Sequence, residues 1–269
     1  MGMQPLNILK EAELDKMNNM NFAFAGDRDI SVNVLDFILS KGYKPLALFV
    51  SSNKKASHSE VLIDKCSFLN KEKVFRGKEF STGKAVNKLR ELNLDYIFCI
   101  HFPYLVPATV LSVPKIGVLN LHPAYLPYNR GWHTPSWAII DKTPAGATLH
   151  FMEEELDSGD IIAQEKLEIL PSDTANSLYG RIKELELEIF KDTWHDIVSL
   201  NLPRKKQPKN IGTLHLKKDL LNKNVRKIQL NKHIQASELI DTVRALTTNK
   251  ESESAFFEIG DKKYHIRMS

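Results

Sequence analysis

The sequence predicts an α/β protein with a mostly parallel sheet, followed by a small α+β subdomain that ends in a hairpin. Short continuous apolar runs are typical of buried strands, and several such runs occur in the first half of the chain. Segments with apolar residues at helical spacing alternate with them, and parallel strands need such crossover connections. A break rich in proline and lysine then precedes a last segment with a hairpin pattern.

The predicted elements follow one another in that alternation. The run NFAFAG predicts a first buried strand, and the next apolar residues recur at helical spacing until Gly42 stops the helix. A polar loop over residues 51–60 separates the second strand from a brief third one. The predicted strands span residues 21–26, 46–50, 73–76, 96–101, 117–122 and 146–152, and the predicted helices span 30–42, 82–93, 174–200 and 237–246.

A proline-rich stretch, HPAYLPYNRGWHTPSW, lies between the last two of these strands. Pro123 and Pro127 exclude regular structure across its first half, because proline lacks a backbone donor and fixes φ. The stretch follows the carboxyl end of a strand, which is where open α/β sheets bind ligands. The sequence therefore predicts a ligand-binding loop at this point.

The segment after residue 202 differs from the rest of the chain in charge. It carries 15 basic and 7 acidic residues, a net of +8, whereas the first 202 residues carry 22 basic and 26 acidic residues, a net of −4. We predict an N-terminal extension over residues 1–20, a main domain over 21–202 and a small C-terminal subdomain over 203–269. The subdomain's hairpin, AFFEI and KYHIR, has apolar residues on both faces and is marginal alone, which predicts a homodimer through this segment. The alternative is that the hairpin packs back on the N-terminal domain of its own chain.

The composition, 42% apolar and 26% charged, is that of an ordinary globular protein. No apolar stretch approaches the ~18 residues of a membrane span, and the first residues lack the apolar core of a secretory signal, so we expect a cytoplasmic protein without a membrane partner.

Cys66 and Cys99 are expected to be reduced thiols, since two cysteines make no disulfide framework. No metal is expected, because the histidines lack zinc-ligand spacing, and His150 is expected to be a hydrogen-bonded interior residue.

Asn120, His122 and Asp157 form the first candidate site. Asn120 and His122 are two residues apart on a predicted strand, so their side chains point to the same face. An amide N–H and an imidazole suit the stabilisation of an oxyanion and the movement of a proton in acyl transfer. Asp157 is a candidate either to orient His122 or to take a proton from the incoming nucleophile. No Ser or Cys lies in a nucleophile elbow, which favours direct transfer without a covalent intermediate.

Residues 117–162 resemble the formyltransferases that use 10-formyltetrahydrofolate as donor. The matching pattern is Asn-x-His-Pro, Leu-Pro, Arg-Gly, Thr-x-His and a late Asp-x-Gly, in one order. The form NRGWHTPSWAI is most similar to the sugar N-formyltransferases that act on nucleotide-linked 4-amino-4,6-dideoxyhexoses, and HFPYLVP resembles the family's folate-binding stretch. The resemblance implies a Rossmann-like formyltransferase fold and covers residues 21–200, more weakly beyond.

The resemblance also assigns roles to residues of this chain. It implies that Asn120, His122 and Asp157 are catalytic, with 10-formyltetrahydrofolate as the formyl donor and no metal. It further implies that the pterin is bound largely by main-chain groups of the loop that ends at Asp157 and of a second stretch. The residues of that stretch are Phe102, Tyr104, Leu105 and Val106.

Other residues are candidates for binding the acceptor of the formyl group. Four cations on predicted loops are candidates to meet a diphosphate, although a solvated surface charge is the commoner role of any one of them: Arg28, Arg76, Lys78 and Arg130. Arg130 stands apart because it lies inside the matching segment. Trp132 and His133 are candidates to cover a sugar or a base, although a tryptophan in a loop is as often packed as stacked on a ligand.

The leading hypothesis is formyl transfer to the amine of a nucleotide-linked amino sugar, with dTDP-4-amino-4,6-dideoxyglucose as the expected acceptor and surface polysaccharide as the destination. Alternatives within the family are methionyl-tRNA formylation, glycinamide ribonucleotide formylation and hydrolysis of the folate donor. The basic tail favours a tRNA substrate, whereas its small size and the loop WHTPSW disfavour one. A non-enzymatic polyanion-binding protein would use the +8 tail but would leave the catalytic candidates without a role, so no nucleic-acid partner is expected.

Overall fold

The computed structural model describes residues 20–52 and 56–269. Contacts divide the chain into two compact units, each made of separate stretches of sequence. Unit 1 comprises the chain up to Leu121 together with His150–Glu154 and Phe190–Arg204, and unit 2 comprises His122–Leu149, Glu155–Ile189 and Lys205–Ser269. Of the predicted extension over 1–20, all but Met20 lies outside the described residues. The division into domains over 21–202 and 203–269 stays a prediction.

A parallel sheet forms the centre of unit 1. Its strands are β1 (Phe22–Gly26), β2 (Ala47–Val50), β3 (Val74–Arg76), β4 (Tyr96–Ile100) and β5 (Gly117–His122), whose last residue belongs to unit 2. They lie in the order β3-β2-β1-β4-β5, and every neighbouring pair is parallel. The predicted strands and their parallel arrangement are confirmed, because continuous apolar runs are buried on both faces of such a sheet.

Helices cover the sheet of unit 1. They are α1 (Asp29–Ser40), α2 (Ser59–Lys65), α3 (Gly83–Glu91) and α4 (Ala108–Leu111). In α1 the buried apolar residues include Val34, Leu35 and Ile38, as the helical spacing predicts. Helices α2 and α4 were not predicted, because both are shorter than the window of about 11–18 residues over which a helical spacing of apolar residues can be recognised.

The first part of unit 2 contains the proline-rich stretch. It holds β6 (Arg130–Gly131), α5 (Thr134–Ile140), β7 (Ala145–Phe151) and β8 (Ile161–Leu167). Strand β8 neighbours β7, and the last two residues of β7 belong to unit 1, where they lie beside β5. The first half of the stretch is irregular, as predicted, and its second half contains β6 and the start of α5.

The predicted helix over residues 174–200 is two helices, so the prediction of one continuous helix is wrong. They are α6 (Ala175–Asp192) and α7 (Trp194–Val198). At Thr193 a ψ of −6° turns the chain more tightly than an α-helix allows. Leu200, with a φ of +56°, ends the helical region in the left-handed conformation.

The last elements of unit 2 are β9 (Leu214–His215), α8 (Lys223–Arg226), α9 (Ala236–Ala245), β10 (Ala255–Ile259) and β11 (Lys262–Ile266). The strands β10 and β11 pair in antiparallel register and turn at Gly260-Asp261, which confirms the predicted hairpin. Helix α9 confirms the predicted helix over residues 237–246. A small apolar core joins α5, α9 and the hairpin, with Trp137, Val243 and Ala255 among its members. Within the described ranges, no helix is both long and apolar enough to cross a membrane.

Candidate active site

Asn120 lies near the carboxyl end of β5, in unit 1, beside the buried His150. Its amide nitrogen is 3.1 Å from Nε2 of His150. The other ring nitrogen of His150, Nδ1, lies 2.7 Å from the carbonyl oxygen of Phe151, which only accepts, so Nδ1 carries the proton. Nε2 of the neutral ring therefore accepts from the Asn120 amide, and the contact fixes which end of the carboxamide is the nitrogen. The prediction of a hydrogen-bonded interior His150 is confirmed.

His122, in unit 2, is almost fully buried next to Asp157. Its Nε2 donates to the carbonyl oxygen of Asn129 at 3.1 Å. Its Nδ1 lies 3.7 Å from Oδ2 of Asp157, which is too far for a direct hydrogen bond but within range of strong electrostatic interaction. Because Nε2 carries the proton of the neutral ring, Nδ1 is the ring position that can accept one, and it faces the carboxylate.

The carboxylate of Asp157 is held by the main chain of β6. Its Oδ2 accepts from the backbone N–H of Gly131 at 2.9 Å. Asp157 has a φ of +50°, in the left-handed region, which residues other than glycine adopt only at a cost in free energy. Its carbonyl oxygen accepts from Nε2 of Gln207 at 2.9 Å. Neither Gly131 nor Gln207 was among the predicted site residues.

Residues 205–219, which we call the strap, run along the proline-rich loop within unit 2. Strand β9 of the strap pairs with β6, and the backbone N–H of Trp132 donates to the carbonyl oxygen of His215 at 2.9 Å. The backbone N–H of Asn129 donates to Oγ1 of Thr213 at 2.8 Å. The strap therefore positions the loop that carries the Asn129 carbonyl and the Gly131 amide. No pattern in the sequence predicts the strap, because its strand is two residues long.

The predicted cations of unit 1 have acidic neighbours or face solvent. Arg76 makes a bidentate contact with Glu60, at 2.8 and 3.1 Å. Arg28 lies 3.5 Å from Asp27. Lys78 is exposed at the start of a short 3₁₀ turn. An acceptor would have to compete with Glu60 for Arg76, since the guanidinium fork is already used.

The predicted acceptor residues of unit 2 lie on the loop that the strap covers. Nη2 of Arg130 donates to Oε1 of Gln207 at 3.0 Å, and its buried Nε has no hydrogen-bond partner among the described residues. The ammonium group of Lys217 lies 4.9 Å from the centre of the Trp132 ring. His133, with a φ of +58°, precedes α5. Burial lowers the pKa of His133, and Glu253, 4.0 Å from its Nδ1, opposes that shift.

The predicted folate-binding stretch lies in unit 1, after β4. Phe102 and Val106 are buried and belong to the apolar core, where Phe102 packs against Phe80. The hydroxyl of Tyr104 lies 3.1 Å from both the backbone nitrogen and Oγ of Ser52. Leu105 is 73% exposed. With the two side chains used in the core, the stretch offers a ligand chiefly its main chain and Leu105.

The described residues contain no group of three His, Cys, Asp or Glu side chains arranged to hold a metal ion. Both cysteines are buried, and burial raises the pKa of the Cys66 thiol to about 12. A thiol with so high a pKa is protonated at neutral pH and is therefore a poor nucleophile.

The chain matches two family models. One, described as formyl transferase, matches residues 20–193, and the other, described as N-formyltransferase dimerization C-terminal domain, matches residues 222–269. The first match spans both clusters described above, around Asn120 and around His122 and Asp157.

Individual relatives agree on the reaction and differ in the acceptor. A dTDP-4-amino-4,6-dideoxyglucose formyltransferase of Mycobacterium bovis is 30% identical over 65% of this chain and 72% of its own length. A methionyl-tRNA formyltransferase of Lachnospira eligens is 30% identical over 84% of this chain and 72% of its own length. The crystal structure of a 4-N formyltransferase from Francisella tularensis is 26% identical, with a TM-score of 0.77, and covers 93% of this chain and 98% of that one.

Proposed function

Because the chain belongs to the formyltransferase family, we propose that it transfers a formyl group from 10-formyltetrahydrofolate to the amine of a nucleotide-linked amino sugar. The observation that carries this proposal is the buried pair of His122 and Asp157, with Asn120 two residues earlier on the same strand. The pair supplies a proton-accepting nitrogen next to a carboxylate, and the amide supplies a neutral donor. Together these groups match the needs of acyl transfer to an amine.

In the proposed mechanism, the neutral amine attacks the formyl carbon and an oxyanion forms at the formyl oxygen. The Asn120 amide, held by its contact with His150, stabilises that oxyanion by hydrogen bonding. His122 donates to the oxyanion from Nδ1 when the ring is protonated, because its Nε2 proton is already donated to the Asn129 carbonyl. Asp157, directly or through water, accepts the proton that the amine loses. The bond between the formyl carbon and the folate nitrogen then breaks, and that nitrogen takes up the proton that Asp157 accepted, which returns Asp157 to the carboxylate. The folate supplies the formyl group, and residues 102–106 are proposed to hold it through their main chain.

Two relatives favour a 4-amino sugar as the acceptor. The Mycobacterium bovis enzyme is named for dTDP-4-amino-4,6-dideoxyglucose, and the Francisella tularensis protein is described as a 4-N formyltransferase. Arg130, Trp132 and His133 lie on the loop next to the proposed proton acceptor, which suits contact with the diphosphate and the sugar. We therefore propose a dTDP-linked 4-amino-4,6-dideoxyhexose as the acceptor, for surface polysaccharide such as O-antigen.

A second candidate is methionyl-tRNA, because the Lachnospira eligens enzyme matches a larger share of this chain at the same identity. The net charge of +8 after residue 202 would serve a tRNA backbone. The match of residues 222–269 to a dimerization domain of N-formyltransferases favours the sugar acceptor and a homodimer.

A cytoplasmic location is part of the proposal, since charged folates and nucleotide sugars do not cross membranes unaided.

The test is an assay with 10-formyltetrahydrofolate and a panel of acceptors: dTDP-linked 3-amino and 4-amino sugars, UDP-linked 4-amino sugars, and methionyl-tRNA. Mass spectrometry should find a product heavier than the 4-amino sugar by one formyl group in place of hydrogen. Formylation of methionyl-tRNA alone would select the second candidate, and hydrolysis of the folate with every acceptor would contradict both.

A further inference from the structure

Gln207 is a buried residue in a stretch of the strap that otherwise faces solvent. It is 9% exposed, whereas Lys206, Pro208 and Lys209 are all exposed. A glutamine is mostly an exposed residue, and a buried carboxamide needs hydrogen-bond partners. Its position in a basic run gives no apolar reason for burial, so its polar contacts account for it.

The carboxamide of Gln207 is hydrogen-bonded at both ends within unit 2. Its Nε2 donates to the carbonyl oxygen of Asp157 at 2.9 Å and to that of Gly159 at 2.8 Å. Its Oε1 accepts from Nη2 of Arg130 at 3.0 Å. Two carbonyl oxygens require an N–H₂ group between them, so a carboxylate of the same size cannot make the first two bonds.

The turn that Gln207 holds is the one that aims the carboxylate of Asp157. Asp157 is in the left-handed region, with a φ of +50°, and a non-glycine residue stays there only where surrounding contacts hold it. Bonds to the carbonyls of Asp157 and Gly159 fix the peptide plane between Asp157 and Ser158 and the one that follows Gly159. Rotation of these planes would turn the carboxylate away from Nδ1 of His122, 3.7 Å from its Oδ2.

We propose that Gln207 is a positioning residue: its carboxamide holds the turn of residues 157–159 so that the Asp157 carboxylate stays beside His122, and it joins this turn to Arg130. The inference rests on the proposed function, in which Asp157 accepts the proton of the amine. It goes beyond that function because it gives the strap a role in catalysis, although no residue of the strap is proposed to react. Loss of the carboxamide then lowers turnover although no atom that touches the substrate is removed.

The test compares Gln207→Ala, Gln207→Glu and the control Lys209→Ala in the full-length protein. We expect kcat for formyl transfer to fall roughly 10- to 100-fold in both Gln207 variants, since small displacements of a catalytic group cost about that much. The glutamate retains the bond to Arg130 but cannot donate to the carbonyls, so activity of Gln207→Glu near that of the wild type would overturn the proposal. Lys209→Ala should match the wild type.

A double-mutant cycle with Asp157→Asn separates positioning from a general loss of structure. If Gln207 acts through the carboxylate, Gln207→Ala should cost less than threefold in kcat once the carboxylate is already absent. Equal losses in both backgrounds would contradict the proposal. Should Gln207→Ala fail to fold, Gln207→Met, which keeps most of the buried volume, takes its place in the same cycle.

Hydrogen exchange gives a readout that does not depend on activity. Amides of the peptide that covers residues 155–160 should exchange faster in Gln207→Ala than in the wild type. Unchanged exchange would contradict the proposal that Gln207 holds the turn of residues 157–159. If exchange is faster in Gln207→Ala but the wild type forms no formylated product, Gln207 still holds the turn and the proposed function is contradicted instead.

Discussion

Single residues of the candidate site are held mostly by main-chain groups. His122 donates to the carbonyl of Asn129, Asp157 accepts from the amide of Gly131, and His150 is fixed by the carbonyl of Phe151. Main-chain partners fix a side chain more firmly than another mobile side chain does, because the backbone loses little further entropy. The arrangement is therefore preorganised before any substrate arrives.

The first prediction concerns the two side chains of unit 2 that are proposed to take part in the reaction, His122 and Asp157. His122→Ala and Asp157→Asn should each lower kcat roughly 10²- to 10³-fold, the usual loss on removing a hydrogen-bond donor or proton acceptor from such a site. Asn at position 157 still accepts from Gly131 and tolerates a positive φ, so its loss reports the missing charge. Steady-state kinetics measure the effect, with exposed His195→Ala as the control; near-wild-type rates in either variant would falsify the mechanism.

The second prediction concerns His133 and the pH dependence of stability. Burial lowers the pKa of His133; Lys250 and Lys217 lower it too, while Glu253 and a hydrogen bond to the backbone of Lys217 raise it. The unfolded chain, with an ordinary pKa of about 6.5, therefore binds a proton that the folded chain does not. The stability that neutral His133 contributes is present above about pH 6.5 and is lost as the pH falls below it.

Urea unfolding at fixed protein concentration, between pH 7.5 and 5.5, measures this contribution. His133→Asn keeps a residue that tolerates the left-handed conformation and removes the titrating ring. Its free energy of unfolding should decline less on acidification than that of the wild type. Exposed His233→Asn should decline as the wild type does, and equal declines in all three proteins would contradict the assignment to His133.

At the scale of elements, the pairing of β6 with β9 determines where the site loop lies. Gly131 has a φ of +95°, and a Cβ there would overlap the carbonyl oxygen of His215 in β9. Glycine is therefore required at this position both by conformation and by the close approach of the strap. The backbone N–H of Gly131 also donates to Asp157, so the position of β9 affects the geometry of the carboxylate that is proposed to be catalytic.

The third prediction is that Gly131→Ala separates β9 from β6 and lowers kcat at least 10-fold. Gly42→Ala is a matched control, because Gly42 also has a positive φ, +84°, but open space where the Cβ would lie. Both variants should lose stability by more than about 0.4–1 kcal/mol through backbone strain, as incompatible Gly-to-Ala changes do. Only Gly131→Ala should lose activity in addition; an equal effect of both variants on kcat would argue against the pairing.

At the scale of the whole molecule, the segment after residue 210 exposes many large apolar side chains. Leu230 is 61% exposed, Ile259 58% and Ile240 50%. Exposed apolar surface of this extent is typical of an interaction site, and the matching family model describes a dimerization domain. Truncation after residue 202 is a poor test of dimerization, since it removes Gln207 and β9 from the site.

The fourth prediction is a homodimer that depends on these side chains. Light scattering on the full chain should give about twice the monomer mass of 30.7 kDa. Leu230→Glu combined with Ile259→Glu should shift the protein to the monomer, because burying two carboxylates in an apolar contact is costly. Val61→Glu, at a 42% exposed site in unit 1, is the control and should stay dimeric. A monomeric wild type would refute the prediction.

The sequence by itself determined those features that depend on neighbouring residues. Continuous apolar runs specify strands β1, β2, β4 and β5, because burial on both faces needs no information from distant parts of the chain. The glycine and aspartate between the last two apolar runs specify the turn of the hairpin. Asn120 and His122 are two residues apart, and side chains alternate along a strand, so the sequence predicts one face for both. The order of the polar residues that follow them predicted the family.

Only the tertiary structure decided which polar groups meet. Gln207 lies 50 residues from Asp157, and Thr213 lies 84 residues from Asn129, yet each pair is hydrogen-bonded. A hydrogen bond between residues so far apart leaves no periodic pattern in the sequence, since its partners are chosen by how the chain packs rather than by local spacing. The same holds for His150, whose burial was predictable from its strand while its bond to Asn120 depends on the pairing of that strand with β5.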